Sequence, residues 1–149
     1  MTATHEYRAA RSDLLRYIDG LSHGNQRLLA YIAAVSHFEQ CICAVYQAAQ
    51  IHKKIEELLL PNDIIGENLF KSGDGSDLER INKIYNVIKH FSAQQATKQS
   101  APVWITNYGL QSVDAIISFE ELVDNIEALW EINRVTFIEI PNQKRQQGS

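Results

Sequence analysis

A chain of 149 residues, 45% apolar and 21% charged with three prolines, holds enough material for one core of ordinary size. Its 14 Lys and Arg against 18 Asp and Glu give a net charge of −4, so no long-range attraction to a polyanion is built in and any nucleic-acid contact has to be a local patch. Arg8, Arg11, Asp13, Arg16 and Asp19 interrupt the N-terminal stretch, and no apolar run approaches the ~20 residues of a spanning helix, which argues against a membrane span and a secretory signal.

The first helix carries Tyr7, Leu14, Leu15, Ile18 and Leu21 and should end near Gly20, with Gly20 to Gly24 as a tight connection. A second helix spans Asn25 to Leu59, because Gly and Pro are absent between Gly24 and Pro61 while Leu28, Ile32, Val35, Ile42, Val45, Ala49 and Ile55 make one stripe. At 1.5 Å per residue it would be about 50 Å long, more than one small core needs, so it should back several partners or a second subunit. Cys41 and Cys43 sit on it about 200° apart, so they neither bridge nor share a metal. Reduced, packed thiols in a cytoplasmic protein are the expectation.

After Pro61 a helical turn at Ile64 to Phe70 precedes a Gly-rich linker, Lys71 to Ser76. Ser76-Asp-Leu-Glu79 reads as a capping box whose Glu reaches back to the cap, launching a third helix near Asp77 with Leu78, Ile81, Ile84, Tyr85, Ile88 and Phe91 on one side. That helix should fray in the polar run Ser92 to Ser100. Trp104 to Leu110 and Ala115 to Ile117 read as the two arms of a small β-hairpin turning near Val113-Asp114. Ser118-Phe-Glu-Glu121 is a second capping box, and it starts a last helix that buries Phe119, Leu122, Val123, Ile126, Leu129 and Trp130. Residues 133–140 could continue that helix or turn extended, and 141–149 read as a disordered tail. The fold class is all-α, a four-helix up-and-down bundle with a small β-hairpin before the last helix, in one domain over residues 1–140.

Turning the third helix about 100° per residue from His90 puts Lys83 about 20° away, Asn86 about 40° and Arg80 about 80°, opposite the isoleucines. A histidine titrating near neutrality, an amide to hold its ring and nearby cations suit phosphodiester chemistry; the same pattern is also a solvated helix face.

Tyr85-Asn-Val-Ile-Lys-His90, then Phe91, a polar linker, Pro102-Val-Trp-Ile105 and Ile117-Ser-Phe-Glu-Glu-Leu122 together resemble the HEPN group of prokaryotic all-helical domains, in layout over residues 25 to 132. That group contains two-chain ribonucleases, toxins and non-catalytic relatives. Its motif is an Arg, a polar residue such as Asn, a few more residues and a His on a late helix, and two copies face each other across a dimer cleft where RNA is cut without a metal. The resemblance implies a defence, toxin or RNA-processing role. His90 would be the acid–base group, Asn86 its positioner, and Lys83, Arg80 and Lys89 the phosphate contacts. It further implies a homodimer, RNA or an antitoxin or other protein as partner, and no cofactor, metal or membrane. Tyr85 stands where the group has Arg. Arg80 has nine residues between it and His90, more than the group's spacing, and Lys83, with six between, lacks the planar fork of Arg. A relative that keeps the fold and dimer as a non-catalytic module, binding a protein or small molecule, fits equally.

Other candidates are weaker. His52 and Glu56 lie one turn apart without a second pair to complete a carboxylate-bundle metal site. His37, beside Phe38, reads as a satisfied interior or interface histidine. Gly73 to Asp77 lacks the Lys of a phosphate loop and the ligand series of a calcium loop. Neither a Gly-x-Ser-x-Gly elbow nor paired-cysteine zinc spacing occurs. Glu120, Asp124, Glu127 and Glu131 form an acidic stripe on the last helix, which keeps it wet or docks on a basic stripe of another subunit.

Overall fold

The chain forms helices α1 Thr2–Ser22, α2 Leu28–Leu59, α3 Asp77–His90 and α4 Phe119–Arg134, with strands β1 Trp104–Ile105, β2 Gly109–Gln111 and β3 Ile116–Ser118 between the last two helices. The computed structural model describes residues 2–24, 27–59, 73–91 and 101–135. The turn expected at Ile64 to Phe70, the polar run Ser92 to Ser100, residues 136–140 and the tail from Pro141 lie outside the described residues.

α1 passes through Gly20, which is buried inside the helix. It stops where Gly24 takes φ 68, a left-handed conformation open to glycine, and bonds the Leu21 carbonyl at 3.1 Å. α1 and α2 run antiparallel, with Tyr7 edge-on to Phe38 at 5.9 Å and Tyr17 against Tyr31 at 5.2 Å. The buried arc is Ala10 and Leu14 on α1, and Ala34, Phe38, Ile42, Val45 and Ala49 on α2. Leu15, Ile18 and Leu21, and likewise Leu28 and Ile32, were expected inside and are exposed. Leu15 lies about 100° round α1 from buried Leu14, whereas Ile18 and Leu21 share the face of Leu14 and are exposed in the last two turns of the helix. Trp130 on α4 is also half exposed.

The other face of α2's buried arc receives Ile81 and Ile84 from α3, Val103, Leu110 and Ile117 from the sheet region, and Leu122 from α4. Each such side chain contributes roughly 1.5–3 kcal/mol of burial. Leu28–Ile55 is long enough to cross a bilayer and holds an 18-residue window of mean hydropathy 1.5, so length and composition alone do not exclude a span. Of that window 39% is buried, and the buried share is the core face just described.

The strands form a three-stranded antiparallel sheet in the order β1-β2-β3, with Ile105 opposite Leu110 and Leu110 opposite Ile117. The single arm expected from Trp104 to Leu110 is broken in two by a tight turn. Thr106 N–H donates to the Gly109 carbonyl at 2.8 Å, and the Thr106 hydroxyl accepts from Gly109 N–H at 3.1 Å. The second turn falls at Val113-Asp114 as expected. Buried Ser112 closes it, its N–H donating to the Ala115 carbonyl at 2.9 Å and its hydroxyl accepting from Ala115 N–H at 3.2 Å.

Gly109 is required by close approach: a Cβ there would lie 2.0 Å from the Ile117 carbonyl oxygen. Gly109→Ala forces β2 and β3 apart and should cost about 1–3 kcal/mol, an overpacking penalty. Thermal unfolding followed by circular dichroism checks this; an unchanged melting temperature would mean that the strands do not pair in this register.

Candidate functional site

α3 starts at Ser76, whose hydroxyl accepts from Glu79 N–H at 3.1 Å. The rest of the expected capping box is rearranged. Asp74 takes the Ser76 N–H at 2.8 Å, and the Glu79 carboxylate turns to Gly73 N–H at 2.6 Å and Gly75 N–H at 2.8 Å. Gly73 and Gly75 both hold positive φ, 83 and 74, which aims their N–H groups into one concavity, and the carboxylate fills it. The stretch read as a linker is therefore a folded cap. Lys83 closes it from the helix side, its ammonium 2.8 Å from Glu79, whose side chain is only 5% exposed. Lys83 and the two glycine N–H groups hold the Glu79 carboxyl down at about 2.

Arg80 is committed in the same way. Its guanidinium donates to the Gly75 carbonyl at 2.7 Å, to Asp77, and to Glu121 Oε1 at 2.7 Å. Glu121 completes the second capping box as expected, accepting Ser118 N–H at 2.8 Å while its own N–H donates to the Ser118 hydroxyl at 3.0 Å. The Ser118 N–H first, and Arg80 after it, lower the Glu121 carboxyl below its ordinary range. Asn125 adds a bond to Asp77 at 3.3 Å. The N-termini of α3 and α4 are thus laced together by the cation expected to meet phosphate.

The remaining site residues lie further along α3. Asn86 donates to Asn82 at 3.2 Å and is exposed, as are Lys89 and His90 in the last turn. Along the axis Arg80 and His90 are about 15 Å apart and Lys83 and His90 about 10 Å. Tyr85, in the motif position of Arg, stacks on Tyr46 of α2 with centroids 3.9 Å apart and planes 11° from parallel. Grooves of about 400 and 350 Å³ lie elsewhere, along α2.

His37 does join two elements. Its Nδ1 lies 2.6 Å from Glu6 and its Nε2 3.8 Å from Asp13, both on α1. With 31 positions between its members, the Glu6 pair has no spacing signal in the sequence. Both cysteines are free. Burial pushes the Cys41 thiol up to about 12, with Glu6 adding to it, and raises the Cys43 thiol as well, so neither is an activated nucleophile. Among the described residues no group of three or more His, Cys, Asp and Glu is placed to hold a metal ion; the Glu56 side chain, half of the His52 pair, lies outside them. Glu120, Asp124, Glu127 and Glu131 are exposed along α4.

No family model, curated protein or solved structure matches the chain.

The Glu79 cap makes stability depend on acid pH. Because the folded carboxyl is held below its ordinary value of 4.5, its contribution is complete above that pH and is lost as pH falls toward about 2. Glu79→Gln should lower the melting temperature at neutral pH, and the gap from the parent chain should close on acidification across that window. A gap independent of pH would show that the carboxylate charge is not what the loop holds.

Proposed function

We propose that the chain is a non-catalytic, dimeric interaction module of HEPN-like layout, which binds a protein or small-molecule partner and does not cut RNA. In this reading it is a four-helix up-and-down bundle with its small sheet before α4, working in the cytoplasm away from membranes. The observation that carries it is the fate of the α3 cations: Arg80 is held by Asp77 and Glu121, and Lys83 by Glu79. Gripping a phosphate would require drawing Arg80 and Lys83 away from these carboxylates, which join the ends of α3 and α4. The Tyr85 ring packed on Tyr46 fits the same account, since the motif position contributes packing there. Free thiols and the core-facing arc of α2 support the cytoplasmic, non-membrane part.

A second reading, a metal-independent endoribonuclease, is favoured by the joint exposure of Asn86, Lys89 and His90 on one end of α3. One assay separates the two. Purified chain incubated with RNA in chelator should leave it intact, and His90→Ala should behave identically. Metal-independent cleavage that falls at least ~100-fold in His90→Ala, in line with the loss of an acid–base group, would overturn the non-catalytic reading. Tyr85→Arg, which completes the motif, should lower stability by about 0.5–1.5 kcal/mol through the lost stack without creating activity.

A further inference from the structure

His37 of α2 faces two carboxylates of α1 at once. Its Nδ1 lies 2.6 Å from Glu6 Oε2, a short hydrogen bond, and its Nε2 lies 3.8 Å from Asp13 Oδ2, at ion-pair distance. Both acids are largely shielded, with 12% and 14% of their side chains exposed. Glu6 and Asp13 are two turns apart on one face of α1, so a ring set between them across the helix pair turns one nitrogen to each.

That placement distinguishes the protonation states of the ring. A neutral imidazole has one N–H and one lone pair. Whichever nitrogen keeps the proton, the other points a lone pair at a carboxylate, and only the imidazolium offers an N–H to both. The charges lead the same way. Asp13 also has Arg16 at 2.9 Å, whereas among the described residues His37 is the only hydrogen-bond or ion-pair partner of Glu6. With the ring neutral two acids share one cation, and with it protonated the charges balance.

The neighbouring groups do not substitute for that proton. Arg11 is turned over the Phe119 ring at 5.0 Å. The Tyr7 phenol is raised by burial and the Cys41 thiol, one turn along α2 from His37, is pushed up to about 12, so both stay neutral. Among the described residues no hydrogen bond or ion pair reaches His37 from α3, the sheet or α4.

We propose that His37 is a proton-operated clasp, whose imidazolium between Glu6 and Asp13 holds α1 on α2 and whose neutral ring lets that hold slacken. α1 packs chiefly on α2, so α1 is the element that responds. The sign is opposite to that of the Glu79 cap. The clasp is complete on the acid side of the imidazole range and weakens as pH rises through about 5–8, while the cap weakens only as pH falls below 4.5. The clasp is independent of either reading of function above, since neither uses His37.

Amide hydrogen exchange of the full chain, corrected for intrinsic rates and followed by NMR beside the titration of the His37 ring, tests it. The α1 amides should be at least ~5-fold better protected at about pH 5.5 than at about pH 8, and the change should follow the His37 midpoint. His5 on α1 and His23 just beyond it also titrate in that range. His37→Gln, which keeps a neutral hydrogen-bonding group and leaves those two in place, should abolish the difference. Glu6→Gln, which removes the charge that the imidazolium balances, should shrink it and carries the comparison if His37→Gln does not fold. Equal protection of α1 at both pH values, a change that does not follow the His37 ring, or a difference that persists in these variants overturns the clasp.

Discussion

The ring of Phe38 is where the layers of this molecule meet. Fully buried at the middle of α2, it takes the edge of Tyr7 from α1 on one side and the face of Phe119 from α4 at 5.4 Å on another. The Arg11 guanidinium then covers the far side of Phe119 at 5.0 Å. Phe119 is the first residue of α4, and its N–H donates to the Tyr108 carbonyl at the first turn of the sheet. One aromatic contact therefore fixes the start of the last helix, the seat of the sheet and the closure of the α1–α2 hairpin. Removing a core aromatic of this kind forfeits contacts in several elements at once, which is why such sites stand among the more expensive in a small domain.

Charge organises the second level. Three carboxylates, Glu79, Glu121 and Asp77, and two cations, Arg80 and Lys83, connect the cap of α3 to the cap of α4. An exposed ion pair alone contributes little. Here the carboxylates also accept backbone N–H groups from Gly73, Gly75 and Ser118, which adds charge-assisted hydrogen bonds to the pairing. The basic residues Arg80 and Lys83 of α3 thus have a structural use.

Much of this was legible in residue order, and the exceptions share a cause. Helix existence followed from apolar spacing, and the Ser118 box from a local four-residue pattern whose partners are fixed by the helix itself. The Ser76 box was half legible, because the pattern names Glu79 as an acceptor without telling it from the glycine N–H groups that compete for it. The break at Thr106 was missed because β-branched and aromatic residues continue through it, while a hydroxyl able to close a turn leaves no periodic mark. Arg80 with Glu121, and His37 with Glu6, are invisible to any local pattern, being 41 and 31 positions apart. The exposure of Leu28 and Ile32 was misread for a related reason. A stripe finds an apolar face but not which part of it is met by another element.

That last distinction applies most to α2. A helix whose single function was to fill its own core would end where the core ends and be polar on its far side. α2 instead continues from Leu28 to Leu59, and its far side mixes leucine, isoleucine, alanine and glutamine with little charge. Among the described residues nothing covers that side, and apolar surface of that extent is costly to keep in water. Arg80 and Lys83 are held by carboxylates at the caps, so much of the charge of α3 goes into joining helix ends, while α2 carries Leu28, Leu29, Ile32, Ile51 and Leu58 exposed among the described residues.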